Sequence, residues 1–185
     1  VGAFYGSAFQ GSRTQLLFTA TELNAAGIFA GNITGLRVNV ISGTPSGLQG
    51  FTIRMASTAA TSISGSFAAP AFTTVYPAFN YVPVLGTNTH VFTTPFVWNG
   101  TSNVIVEYCF TNAAAGTTSL VNTWSATAFG SAVYYGANSA TPACTIATVS
   151  NSNTVRPNIS FVSSVAPTAV SWSDGVGTVG TTNPL

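Results

Sequence analysis

The sequence predicts an all-β fold: an antiparallel jelly-roll-type β-sandwich with one short helix and a C-terminal extension strand. Three observations predict it. Short runs rich in Val, Ile, Thr, Phe and Tyr recur, separated by Gly, Pro, Asn and Ser clusters. In Leu36-Arg37-Val38-Asn39-Val40 apolar and polar residues alternate, which is the period of a half-buried strand. Helix signals, by contrast, are confined to one place.

The elements follow in order. Strands are expected near Arg13–Thr19, Ile33–Ile41, Gly50–Ser57, Thr73–Tyr76 and Thr89–Phe92. Others are expected near Asn103–Thr111, Ser119–Thr123, Ala132–Tyr135 and Arg156–Val162. The helix is expected at Thr21–Gly27, with Thr21 as its cap, Glu22 in the first turn and Gly27 as its stop. Residues 66–83 read as a Pro-punctuated loop whose rings Phe67, Phe72, Phe79 and Tyr81 must bury beneath it or against a neighbouring subunit. Strands of this number, linked by turns of unequal length, make a two-sheet sandwich. An immunoglobulin sandwich fits less well, because the cysteines lie late and no Trp stands between them at the expected distance. The sandwich domain is expected to cover residues 1–162. Residues 163–185 read as a linker and a C-terminal extension, either a donor strand or the start of a following repeat.

Composition narrows the setting. The chain has four arginines, three acids and no lysine, so 4% of its residues are charged against roughly a quarter in ordinary domains. Solubility must then rest on Thr, Ser, Asn and Gly, a coat suited to contact with protein, glycan or a solid surface. Isolated arginines offer no basic stripe for a phosphate backbone, so no nucleic-acid partner is expected. Although 46% of the chain is apolar, no run approaches the roughly 18 residues of a membrane helix, so no membrane span is expected. The start, Val1-Gly2-Ala3-Phe4-Tyr5, reads as that of a mature or excised chain. Cys109 and Cys144 form an even pair, expected as a disulfide in an exported protein, with two buried free thiols as the alternative. Arg37 and Arg54 are expected on the outer face of neighbouring strands with Glu107 in a third. An exposed Arg–Glu pair there would contribute only about 0–1 kcal/mol.

Longer strings carry a resemblance. Residues 13–27, then Gly31-Asn32-Ile33-Thr34-Gly35-Leu36 and Leu48-Gln49-Gly50-Phe51-Thr52-Ile53-Arg54-Met55, are similar to the opening of a β-sandwich module in type IX-secreted surface and adhesin-like proteins of Bacteroidetes. Residues 88–107, Tyr134-Tyr135, Cys144 and Arg156-Pro157-Asn158 resemble its later landmarks. Val170-Ser171-Trp172-Ser173-Asp174-Gly175 resembles the first strand of the immunoglobulin-like repeats that follow such modules. The resemblance implies export and an extracellular or cell-surface location; it does not imply a catalytic site.

Candidate chemistry is sparse. His90 is the one histidine and has no nucleophile elbow to serve. Glu22, Glu107 and Asp174 are the only carboxylates for a glycosidase pair, and Glu22 and Asp174 already read as a helix-start acid and a turn acid. No enzyme activity, cofactor or metal site is expected. Two functions remain. The first is a structural subunit that assembles with copies of itself or sister surface modules into a filament or layer. Its C-terminal segment would add as a strand to the next subunit, with Thr168, Val170 and Trp172 at the interface. The second is a polysaccharide-binding module that stacks sugars on Trp98, Trp124, Tyr134 and Tyr135.

Overall fold

β-Branched and aromatic residues pack well on a pleated surface, and here they draw the chain into two antiparallel sheets. The computed structural model describes residues 3–116 and 119–164, with the backbone of 172–173 and 178–180. The first sheet comprises β1 (Gly11–Phe18), β3 (Leu48–Thr58), β4 (Thr73–Tyr81), β6 (Asn103–Thr111), β9 (Ala132–Ala137) and β10 (Asn151–Asn153). Its order is β10-β9-β1-β6-β3-β4. The second comprises β2 (Gly31–Ser42), β5 (Gly86–Trp98) and β12 (Ser160–Ser164) in the order β12-β2-β5, with β7 (Val121–Asn122) on the far end of β2. β8 (Trp124–Ala126) and β11 (Val155–Pro157) pair with each other. From β1 to β2 to β3, and again from β4 to β5 to β6, the chain changes sheet at every step. The apolar faces therefore close on a common core, and the fold is the expected all-β sandwich.

Alternation assigns the core. Leu16, Phe51, Ile53, Met55, Val104, Val106, Tyr108 and Phe110 face Ile33, Leu36, Val38, Phe96 and Trp98, all buried. Burying each such side chain is worth roughly 1.5–3 kcal/mol. Phe4 and Tyr5 enter this core from outside any strand, and the Phe4 ring stacks on Tyr108 at 4.1 Å between centroids.

The first sheet is buried on its second face too. Leu17, Ile105 and Val133 project away from the main core and join Ile63, with Phe67, Ala68, Phe72, Phe129 and Val149 packed against them. These partners come from connections between strands, so a strap of loops covers the outer face. Phe67 and Phe72 thus lie partly buried beneath their own loop and Tyr81 packs on the main core, whereas Phe79, on β4, stays exposed against the expectation that all four rings bury.

Several boundaries move. β4 and β5 run through Pro77 and Pro95, beyond the expected ends at Tyr76 and Phe92. Both are outermost in their sheets, where a missing N–H costs no ladder bond. The helix, α1 (Ala20–Ala25), is capped by Thr19 and not Thr21. Thr19 and Glu22 form a reciprocal capping box. At the other end Ile28 N–H donates to Leu23 O and Gly27 N–H to Asn24 O, a Schellman closure that needs the positive φ of Gly27 (79°). β12 extends through Ser164, two residues into the expected linker. Thr168 and Val170 lie outside the described residues. The backbone of Trp172 belongs to β13 (Trp172–Ser173), paired with β14 (Thr178–Gly180).

Candidate functional site

The ionisable residues show best what this sandwich does with its chemistry. Glu107 stands on β6, directly opposite Arg54 of β3 and Gln15 of β1 in the ladder. Arg13, two residues before Gln15, reaches it diagonally. Glu107 is fully buried. Its Oε2 accepts from Arg13 Nε at 2.9 Å, Arg13 Nη2 at 2.7 Å and Gln15 Nε2 at 2.7 Å. Its Oε1 accepts from Arg54 Nε at 2.7 Å and from Arg54 Nη2. Both oxygens are saturated, so this carboxylate has no lone pair to offer a substrate.

The arginines are held as firmly. Arg13 lies 4.2 Å from the centroid of the Phe67 ring and Arg54 lies 5.3 Å from that of Phe72. Arg13 Nη1 donates to Ile146 O and Arg54 Nη2 to Cys144 O at 3.2 Å. Both carbonyls belong to the segment that the Cys109–Cys144 disulfide ties to β6, through the 3-10 turn Ala143–Thr145. The disulfide expected from the sequence is thus present, and it and the ion cluster fix the same strap. Gln15 fastens the other loop, donating to Ala68 O and accepting from Ala68 N–H, each at 2.8 Å.

The expected Arg–Glu pair is present between Arg54 and Glu107, but it is covered rather than exposed, and Arg37 takes no part in it. β2 and β3 lie in different sheets, so Arg37 and Arg54 are not neighbours, and the Glu107 cluster is covered by the strap. The missed partner was Arg13. One signal was legible: β6 alternates Val104, Val106, Tyr108 and Phe110 with Ile105 and Cys109, apolar on both faces, as a doubly covered strand must be.

A second pair closes the helix end. Arg156 Nη2 donates to Glu22 Oε1 at 2.7 Å and Nη1 to Leu17 O, while its guanidinium stacks 4.0 Å from the centroid of the Phe18 ring. Burial alone would raise the Glu22 carboxyl. The Thr19 N–H and the Arg156 guanidinium outweigh it and hold the group below the ordinary carboxylate range.

His90 sits in the main core, ringed by Phe4, Tyr5, Phe51, Tyr76 and Tyr81. Its Nε2 is 2.7 Å from the Tyr5 hydroxyl, and its buried Nδ1 has no partner. Desolvation lowers its pKa to about 4, so the ring is neutral at ordinary pH and packs as an aromatic.

Arg37 alone among the described charged residues has neither an ion pair nor a hydrogen bond. It stands on the solvent face of β2 in a depression of about 370 Å³ shared with Asn39, Thr87, Thr123, Asn158 and Ser160. The register explains the hollow. β12 pairs β2 only as far as Arg37 and β7 resumes at Val40, leaving a gap in the ladder between them.

The sugar-stacking candidates do not converge. Trp98 is 1% exposed and donates to Ser102 O from the core, so it has no free ring face. Trp124 is half-buried on β8. Tyr134 and Tyr135 are successive residues of β9 and point to opposite faces. Among the described residues no three of His, Cys, Asp and Glu gather as metal ligands, and no helix is long and apolar enough to cross a membrane. No family model, curated protein or solved structure significantly matches the chain.

Proposed function

We propose that the protein is an exported structural subunit that assembles with copies of itself into an extracellular filament or surface layer and performs no reaction. The observation that carries this reading is where the charges go. Arg13, Arg54, Glu107, Arg156 and Glu22 are consumed in two internal clusters, leaving Arg37 as the only exposed charge among the described residues. Copies of such a surface pack without mutual repulsion. Isolated exposed side chains such as Val91 and Val97 add apolar contact.

Other features support it. The disulfide suits an oxidising compartment outside the cytoplasm. The resemblance to type IX-secreted surface modules points the same way. Phe4 lies by Asn122 at one end of the second sheet, whereas Ser164 pairs with Asn32 at the other. Head-to-tail contacts between copies that do not close yield an open fibre. The segment beyond Ser164, with Thr168, Val170 and Trp172, would add to a sheet edge of the next copy through backbone hydrogen bonds. Polysaccharide binding has less support, because its aromatic candidates are buried or diverge.

Electron microscopy tests this. The full chain is expected to form fibres or layers, and a chain lacking residues 167–185 to remain folded and monomeric. Polymerisation by the truncated chain refutes strand donation, and a full chain that never assembles refutes the structural role.

A further inference from the structure

We propose that the depression around Arg37 is the socket that receives Asp174 from the C-terminal segment of a neighbouring copy; this rests on the self-assembly reading above. The argument is one of charge left over. The sequence has four arginines and three acids. Arg13 and Arg54 are matched to Glu107, and Arg156 to Glu22, inside the sandwich. Arg37 is the cation without an ion pair among the described residues, and Asp174, outside them, is the remaining acid of the sequence. The first stands on the sandwich, and the second follows β13 directly in the segment proposed to reach the next subunit.

The socket is chemically suited to that guest. The first sheet has its outer face covered by the strap, whereas Arg37, Asn39, Thr87 and Thr89 lie exposed on the outer face of the second. Arg37 stands on β2, held between β5 and β12 with Thr89 and Ser160 opposite, so the guanidinium fork projects from a fixed backbone. Asn39, Thr87, Thr123, Asn158 and Ser160 line the hollow with amides and hydroxyls and contribute no acid. A carboxylate entering there meets a bidentate donor with hydrogen-bonding groups around it and no repulsion. The gap between β12 and β7 interrupts the ladder beside the same hollow, where the Asn39 carbonyl accepts from Asn122 Nδ2 at 3.0 Å. On an otherwise uncharged surface this one pair supplies register: it selects where along the neighbour the added segment stops.

Charge reversal tests the contact in trans. Arg37 is exposed and has no ion pair among the described residues, and Asp174 lies beyond the sandwich domain, so Arg37→Glu and Asp174→Arg are expected to fold as the wild type does, checked by thermal melting. Each alone sets like charges together and is expected to raise the concentration needed for assembly by about tenfold or more. Mixed in equal amounts, the two variants offer each other complementary pairs and are expected to co-assemble, as is the doubly reversed chain by itself. Rescue in the double variant without rescue in the mixture places the pair within one chain and overturns the proposal. So does wild-type-like assembly by either single variant, while leaving the self-assembly reading intact. A wild-type chain that stays monomeric removes that reading and this one together. Arg37-dependent binding of oligogalacturonate to the tail-deleted chain, with assembly indifferent to Arg37, makes the hollow a sugar site instead.

Discussion

Glu107 neutralises two arginines that the strap has taken out of water, so its loss leaves both uncompensated. Glu107→Ala is expected to destabilise the fold by about 3–5 kcal/mol. Replacing Arg13, Arg54 and Glu107 together by apolar residues of similar volume is expected to cost much less, since no stranded charge remains. Urea unfolding measures both, and a cost below about 1 kcal/mol for the single change would contradict the cluster's role as a clamp. His90 gives a different signature. Its folded pKa of about 4 lies below the ordinary 6.5, so in that window the unfolded chain binds a proton that the folded chain refuses. Stability is therefore full above 6.5 and falls as pH drops toward about 4, by about 3 kcal/mol in all. Below that the loss from His90 levels off. Glu22 acts lower on the scale: its lowered carboxyl contributes stability that is lost as pH falls below its ordinary range. Unfolding measured between pH 7 and 4 is expected to show the histidine slope, and His90→Gln to flatten it.

Among the elements, the disulfide-tied strap makes the first sheet a covered layer, whereas Arg37, Asn39, Thr87 and Thr89 lie exposed on the outer face of the second. Replacing Cys109 and Cys144 by Ser opens a 35-residue loop, worth about 4 kcal/mol in the chain-entropy model. It also frees the carbonyls of Cys144 and Ile146 that complete the arginine shells. Hydrogen exchange is expected to rise first around residues 143–149 while β2 and β5 stay protected; uniform loss of protection would contradict a separable strap. Much of this layering was legible. The alternation in β2 placed its core face correctly, and Gly27 marked the helix end. The rest depended on long-range pairing. Sequence order makes β2 and β3 look like neighbours, but the chain changes sheet between them, so Arg37 and Arg54 part company. Arg13 and Glu107 are far apart in sequence, and only ladder register brings them together. Pro77 and Pro95 fell beyond the expected strand ends because edge position, which permits them, is a property of the sheet.

For the whole molecule, the low charge count is half of the physics and its placement is the other half. A chain with so few ions could have spread them over its surface for solubility. Instead it pairs five of them with one another, holding a strap and a helix end, and presents hydroxyls, amides and apolar side chains such as Phe29, Ile41, Leu85, Val91 and Val97 to its surroundings. Such a surface, poor in charge, sets up little repulsion toward its own copies or a neutral matrix. The most direct test is sedimentation velocity of the full chain across a concentration series, beside the same chain lacking residues 167–185. Growth of the full chain into large polymers, with the shortened chain remaining a monomer, is the predicted result. A full chain that sediments as one 18.9 kDa species at every concentration would contradict the account.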